Sequence, residues 1–237
     1  MMAKSKARTL CTDPEWLGRS DCRHCGIRHM MLFSELQDSD LDNILEPIDN
    51  LRYAEKSMFY NQGDQGNNVY SIRRGIVKLV HNQPDGAQRI VRLLGPGAII
   101  GLEALLDKAY RHTAIALQEV DACRIHSVTL QRLETEKPML SEKVMSHWEQ
   151  HLCTADRWIS ELSSGTVRAR TLKLLNFLYE LEGSGVDTVQ FFGYEDMASM
   201  LGTSRETFSR IVGELKDEGI LSKTEDKHVY RLSASGD

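Results

Sequence analysis

Tyr194-Glu195-Asp196-Met197-Ala198-Ser199-Met200-Leu201-Gly202-Thr203-Ser204-Arg205-Glu206-Thr207-Phe208-Ser209-Arg210-Ile211-Val212 reads as two short helices joined by a tight turn. Ala198 is small where a second helix must cross closely. Gly202, four residues on, suits the left-handed backbone that such a turn needs. Phe208, Ile211 and Val212 give the second helix a buried face. Thr203 is expected to cap that helix, with Glu206 three residues later as in a capping box. Arg205, Glu206, Ser209 and Arg210 then occupy its outer face, with Thr203 and Ser204 at its start. Forked guanidinium donors suit guanine edges or phosphates, and a carboxylate suits cytosine amino groups, so this is the candidate DNA-reading surface. Capped helical hairpins with no DNA role share part of the pattern. The small, glycine and apolar positions falling in one register favour the DNA-binding reading.

Downstream, Gly219-Ile220-Leu221, Ser222-Lys223 and Val229-Tyr230-Arg231-Leu232 predict a hairpin wing. Upstream, 167–181 reads as a helix with Leu172, Leu175, Phe177 and Leu178 apolar, broken by Gly183-Ser184-Gly185. Ser163-Ser164-Gly165 marks a hinge before it. Past Pro138, Met145, Trp148, Leu152, Ala155, Ile159 and Leu162 recur at alternating steps of three and four, a coiled-coil-like seam. Such a stripe needs a partner, which a second copy of the chain supplies; a core helix packed in its own domain is the competing reading. From Leu32 to about Leu133, short strands are separated by turns such as Asn61-Gln62-Gly63-Asp64 and Pro84-Asp85-Gly86, the pattern of an all-β barrel or sandwich. A helix at about Ser39 to Leu45 precedes them, capped by Asp38 or Ser39. The expected division is a Cys-containing segment 1–31, a β domain 32–135, a long helix 136–164 and a C-terminal domain 165–237.

The 237 residues carry 29 basic and 34 acidic side chains, a formal charge of −5. Local clustering of Arg, rather than this sum, decides nucleic-acid binding. No apolar run has the length of a membrane span, and the basic N-terminus lacks a signal-peptide core, so a cytoplasmic protein with no membrane partner is expected. No Ser-His-Asp order, phosphate-binding glycine loop or His-Glu-x-x-His stretch is present, and no enzyme is expected. His147 and His151, one helical turn apart beside the seam, are expected at the surface or interface. Of five cysteines, Cys11, Cys22 and Cys25 crowd the start, while Cys123 and Cys153 stand apart. In a reducing compartment, clustered thiols point to metal, cluster or redox chemistry.

A β-roll, a long helix and a terminal winged helix-turn-helix together resemble the Crp/Fnr family of bacterial transcription regulators, over about Leu32 to Leu232. The resemblance implies an α+β fold: an N-terminal β-roll (a cyclic-nucleotide-binding-like jelly roll), a dimerisation helix and a C-terminal winged helix-turn-helix. Glu206-Thr207-Phe208-Ser209-Arg210 matches the Glu-x-x-Ser-Arg motif of the Fnr branch, which reads TTGAT-type half-sites as a dimer. Glu206, Ser209 and Arg210 would then be base-edge readers. Arg205 stands where the cyclic-AMP receptor branch also has Arg, a mixed signature. Implied partners are palindromic double-stranded DNA, a second copy and RNA polymerase, with activation the commoner mode.

Cyclic AMP is disfavoured as a ligand. With Gly101 aligned to the family's nucleotide-binding turn, Leu102 replaces the ribose-binding Glu and His112 the phosphate-binding Arg. Glu103 and Arg111 are each shifted by one, in opposite senses, and His112 is expected as an ordinary loop histidine. Fnr proteins are similar to this chain in having a Cys-x-x-Cys near the N-terminus and a distant Cys in the roll, which hold a [4Fe–4S] cluster. Cys22-Arg23-His24-Cys25 supplies the pair, and Ala122-Cys123-Arg124-Ile125 the distant ligand. Met31 occupies the position of the usual third N-terminal Cys, and a thioether is a poor substitute for thiolate. The expected set is therefore Cys11, Cys22, Cys25 and Cys123, with Cys153 a small buried helix residue. A thiol switch, zinc through Cys22, Cys25 and His29, or a small-molecule effector (cyclic nucleotide, haem or NO) without a cluster are the alternatives.

Overall fold

A computed structural model of the chain describes residues 13–42, 47–182, 188–226 and 228–233. Nine strands form the N-terminal roll: β1 (Glu15–Arg19), β2 (Asp49–Tyr53), β3 (Met58–Tyr60), β4 (Asn68–Arg74), β5 (Val77–Asn82), β6 (Gln88–Leu94), β7 (Ile99–Ile100), β8 (Thr113–Ala116) and β9 (Val120–His126). They pair antiparallel in two sheets, β1-β2-β9-β4-β7 and β3-β8-β5-β6. Val69, Ile72, Val77, Ala114, Ala122 and Ile125 are buried between them, and Tyr53 stacks on Phe59 at 3.7 Å between ring centroids. Each large apolar side chain so buried is worth roughly 1.5–3 kcal/mol. Gly75, at φ +88°, makes the tight β4–β5 turn, where a Cβ would strike the Glu119 carbonyl.

The segment set apart as 1–31 is part of this roll. β1 is an edge strand on β2, with Trp16 opposite Leu51, and Met31, Leu32 and Phe33 are buried in the roll core. The strand escapes sequence reading because most of its side chains are exposed, so no apolar alternation marks it. A short helix, α1 (Asp38–Asp42), starts near the expected place; Leu45, its expected end, lies outside the described residues.

Two helices follow, α2 (Ser127–Glu136) and α3 (Pro138–Leu162), the second opened by proline in its first turn. α3 is apolar on two faces. Met145, Leu152 and Ile159 are 63–69% exposed and Trp148 39%, on one side, while Leu140, Val144, His147, His151, Trp158 and Leu162 are buried against the chain itself. Leu162 therefore leaves the expected seam, and Ala155 is half-buried. At about 100° per residue Ile159 lies within roughly 40° of Met145, but Leu162 roughly 100° away.

The C-terminal domain comprises α4 (Val167–Glu182), β10 (Thr188–Gln190), α5 (Tyr194–Met200), α6 (Arg205–Asp217), β11 (Leu221–Lys223) and β12 (Val229–Leu232). The Gly183-Ser184-Gly185 break lies outside the described residues. β11 and β12 form the expected hairpin, and β10 adds a third strand beside β12. Leu174, Leu178, Met197, Phe208 and Leu215 share one apolar core with Trp158 and Leu162 of α3 and with Ile76, Val80, Ile90 and Leu93 of the roll. Lys78 of β5 bonds Asp196 of α5 at 2.6 Å across that contact.

Candidate nucleic-acid interface and thiol site

The turn between α5 and α6 closes on Gly202, at φ +60°. Ala198 is buried where the helices cross, and Phe208 packs edge-on against Tyr194 at 5.3 Å between centroids. The N-cap is Ser204, not Thr203: its extended backbone precedes Arg205, and its Oγ accepts the Thr207 N–H at 3.1 Å. The Thr203 N–H instead donates to the Ala198 carbonyl at 3.0 Å, which ties Thr203 into the turn. Glu206 is thus the second helical residue and makes no capping box. Its own backbone N–H and the Ser204 hydroxyl hold its carboxyl below the usual range, so it stays an ionised acceptor. Arg205, Glu206, Ser209 and Arg210 are all exposed, and Arg210 pairs along the helix with Glu214 at 2.5 Å. Arg170 of α4, which spacing did not single out, donates to the Leu201 carbonyl at 2.7 Å and braces the turn.

The second site lies in the roll. Cys22 and Cys25 precede a single 3-10 turn, Arg28–Met30, that returns the chain to β9, where Cys123 sits. All three thiols and Met31 line one cavity of about 30 Å³ with Ser20, Arg28 and Arg73. That is room for a water or two. Ser20 Oγ lies 3.1 Å from Cys123 Sγ, and Ser71 Oγ donates to Met31 Sδ at 3.3 Å. Burial, with smaller contributions from Cys123 and Cys25, pushes the Cys22 thiol up to about 11. Burial also raises Cys123, against the pull of the Ser20 hydroxyl. Ser20, Ser71 and Arg73 were not legible in the sequence, because strand pairing alone brings them to the cysteines.

Cys11 lies outside the described residues. Cys153 is exposed, not buried as expected, and donates to Glu149 Oε1 at 3.0 Å, one turn back on α3. His29 lines a different cavity, of about 500 Å³, beside α3. Among the described residues no three His, Cys, Asp or Glu side chains, Cys22, Cys25 and Cys123 included, stand close enough to hold one metal ion. That larger cavity also meets His147 and His151, which are buried on the inner face of α3 rather than at the surface or interface. His147 has only Gln150 nearby, with no hydrogen bond of good geometry, and His151 Nε2 has none.

At the nucleotide-binding turn, Gly101 has φ +78° and Leu102 is buried. His112 is half-buried beside His81; burial, then Arg92, lowers it to about 4, so it is neutral near pH 7 and a weak partner for a phosphate. No helix among the described residues is long and apolar enough to cross a membrane.

Two family models match the chain: the cyclic nucleotide-binding domain over residues 50–136 and the Crp-like helix-turn-helix domain over 172–233. A transcriptional regulator LdrP of Thermus thermophilus is 30% identical over 76% of this chain and 91% of its own. The transcriptional activator protein Anr of Pseudomonas aeruginosa is 25% identical over 92% of this chain and 91% of its own. A solved CRP-family regulator, also from Thermus thermophilus, shares 26% identity at a TM-score of 0.66, covering 76% of this chain and 90% of that one. FixK2 from Bradyrhizobium japonicum, 21% identical, shares the fold at a TM-score of 0.68 over 78% and 92%. With a roll in front, a long helix between and a DNA-reading helix-turn-helix behind, the chain belongs to the Crp/Fnr family of transcription regulators.

Proposed function

We propose that this regulator is a homodimeric transcription activator that responds to oxygen or redox state through a [4Fe–4S] cluster at its N-terminal thiols. The observation that carries the reading is the meeting of Cys22, Cys25 and Cys123, from segments about a hundred residues apart, on one cavity. The donor set fits an iron–sulfur group in kind: thiols are its ligands, and the cationic Arg28 and Arg73 suit a thiolate-rich anion. The open volume, about 30 Å³, is smaller than a cluster. When bound, the cluster supplies an oxygen-labile centre. Cys22, Cys25 and Cys123 would hold it, with Cys11, outside the described residues, the expected fourth ligand, and each thiol would give up its proton.

The exposed stripe of Met145, Trp148, Leu152 and Ile159 supports pairing of two α3 helices. That pairing sets the separation of two α6 helices, each presenting Arg205, Glu206, Ser209 and Arg210 to a TTGAT-type half-site about one DNA turn from the other. Thr203 and Ser204 lie at the helix start, where backbone phosphates are contacted. Bound upstream of a promoter, the dimer would recruit RNA polymerase.

Anaerobic reconstitution with iron and sulfide tests the cofactor. The expected product is brown, carries up to about four irons per chain and bleaches in air. A colourless product with no thiolate-to-iron absorbance overturns the cluster. Mobility shift on a TTGAT palindrome tests the DNA reading: the anaerobic protein binds, and Arg210→Ala abolishes the specific shift. Equal binding by that variant overturns the role of Arg210.

A further inference from the structure

We infer that the cavity of about 500 Å³ between the roll, α3 and α4 binds a small aliphatic hydroxy acid, its carboxylate on Lys143 and His147 and its hydroxyl on His151. The cavity shares no lining residue with the thiol site, and none with the nucleotide-binding turn at Gly101. Its two walls differ in kind. Leu93 and Leu94 of β6, with Phe177 and Leu181 of α4, make one wall apolar. Lys143, His147 and His151 line the other, spaced by four residues along one face of α3. The inner face of that helix is otherwise apolar, with Leu140, Val144, Trp158 and Leu162 buried. It turns polar only over the turns that border the cavity.

These polar groups are left for an occupant. His147 is 3% exposed and His151 8%, and such buried nitrogens without good hydrogen bonds cost stability. His151 donates to the Ile99 carbonyl, and because its Nε2 has no partner the bond runs through Nδ1. In the neutral ring Nε2 is then a bare acceptor, which calls for a hydroxyl rather than an anion. His147 has an N–H to give, and half-buried Lys143 pairs with no carboxylate among the described residues. An ammonium and an N–H together suit a carboxylate. The other charges at the cavity cancel, since Arg157 is held by Glu180 and Glu161. Four residues of helix rise about 6 Å, so the two ends of the occupant stand about 6–9 Å apart. The Phe177 ring is already covered by the Arg157 guanidinium at 5.3 Å and edged by Trp158, which favours an aliphatic spacer over an aromatic one. Among the described residues no third His, Cys, Asp or Glu stands close enough to make a metal site of the two imidazoles.

The experiment titrates the full-length chain with 6-hydroxyhexanoate, hexanoate and 1,6-hexanediol, reading affinity by calorimetry and the imidazole nitrogens by magnetic resonance. The hydroxy acid is expected to bind once per chain, to move the His147 and His151 signals, and to bind at least about tenfold more tightly than either comparator. Lys143→Met is expected to weaken both acids and leave the diol unchanged. His151→Leu is expected to remove the advantage of 6-hydroxyhexanoate over hexanoate. Lys143 is half-buried, so its variant keeps the test decisive if His151→Leu does not fold. Lys173→Met, which removes an exposed charge from α4 outside the cavity, should bind as wild type does. No binding of the hydroxy acid at about 10 mM overturns the site. Equal binding of the three probes reduces the cavity to an apolar hole and overturns the hydroxy-acid assignment, as does a Lys143→Met protein that binds both acids like wild type.

Discussion

His147 and His151 are buried imidazoles on the inner face of α3, beside the cavity it shares with the roll. Burial, followed by Lys143 at His147 and by Arg92 at His151, brings both down to about 4. The folded chain therefore keeps them neutral, while the unfolded chain protonates them below about 6.5. Their contribution is fully present above about pH 6.5 and is lost as pH falls toward 4. One turn apart, they repel each other when charged, so their effects do not add. His147→Leu is expected to raise the urea midpoint by an amount equivalent to about 1–2 kcal/mol, because it removes buried ring nitrogens without well-formed hydrogen bonds. The gain should be larger at pH 5 than at pH 7.5. A variant whose stability falls with pH as steeply as the wild type's would refute the titration argument for His147.

At the scale of the element, α3 separates two roles that one heptad stripe had merged. Trp148→Glu or Leu152→Glu, at side chains solvent-facing in the single chain, is expected to weaken self-association in sedimentation and to make the thermal midpoint less dependent on protein concentration. Leu162→Ala is expected to cost about 2–5 kcal/mol of unfolding free energy, because it opens the core shared with α4. The spacing of three and four announced the helix and its outer stripe. It did not say where a straight helix rotates the stripe out of register. The cap shows the same limit at α6. Thr203 and Ser204 are both good caps by type, and only the backbone path selects Ser204. Ser204→Ala is expected to lower the thermal midpoint by an amount equivalent to about 1 kcal/mol, and Thr203→Ala by much less. The helix-turn-helix was legible because its signals lie within nineteen residues. The thiol cavity was legible only as cysteines, since Ser20, Ser71 and Arg73 reach it through pairings of β1, β2, β4 and β9 that no local pattern records.

Across the whole molecule, the thiol cavity and α6 lie in different domains, joined through α3 and by a direct contact between roll and helix-turn-helix. That contact is a continuous apolar core, with Ile76, Val80, Ile90 and Leu93 of the roll packed with residues of α4, α5 and α6. Such a core ties the position of α6 to the sheet beneath it. Lys78 and Asp196 pin its edge, their side chains 14% and 33% exposed. Removing one partner strands a partly buried charge, at a cost on the order of 2 kcal/mol. Lys78→Glu adds repulsion, because Glu195 and Asp196 line the same groove. It is expected to lower the melting temperature of the C-terminal domain by about 8–16 °C and to separate its calorimetric transition from that of the roll. Asp196→Lys in the same chain should recover most of the loss, because the pair is restored with its charges exchanged. If the double variant melts as low as Lys78→Glu alone, the ion pair is not what couples the domains. The apolar core would then carry that coupling alone, and Val80→Ala, which thins it from the roll side, should reproduce the split transition.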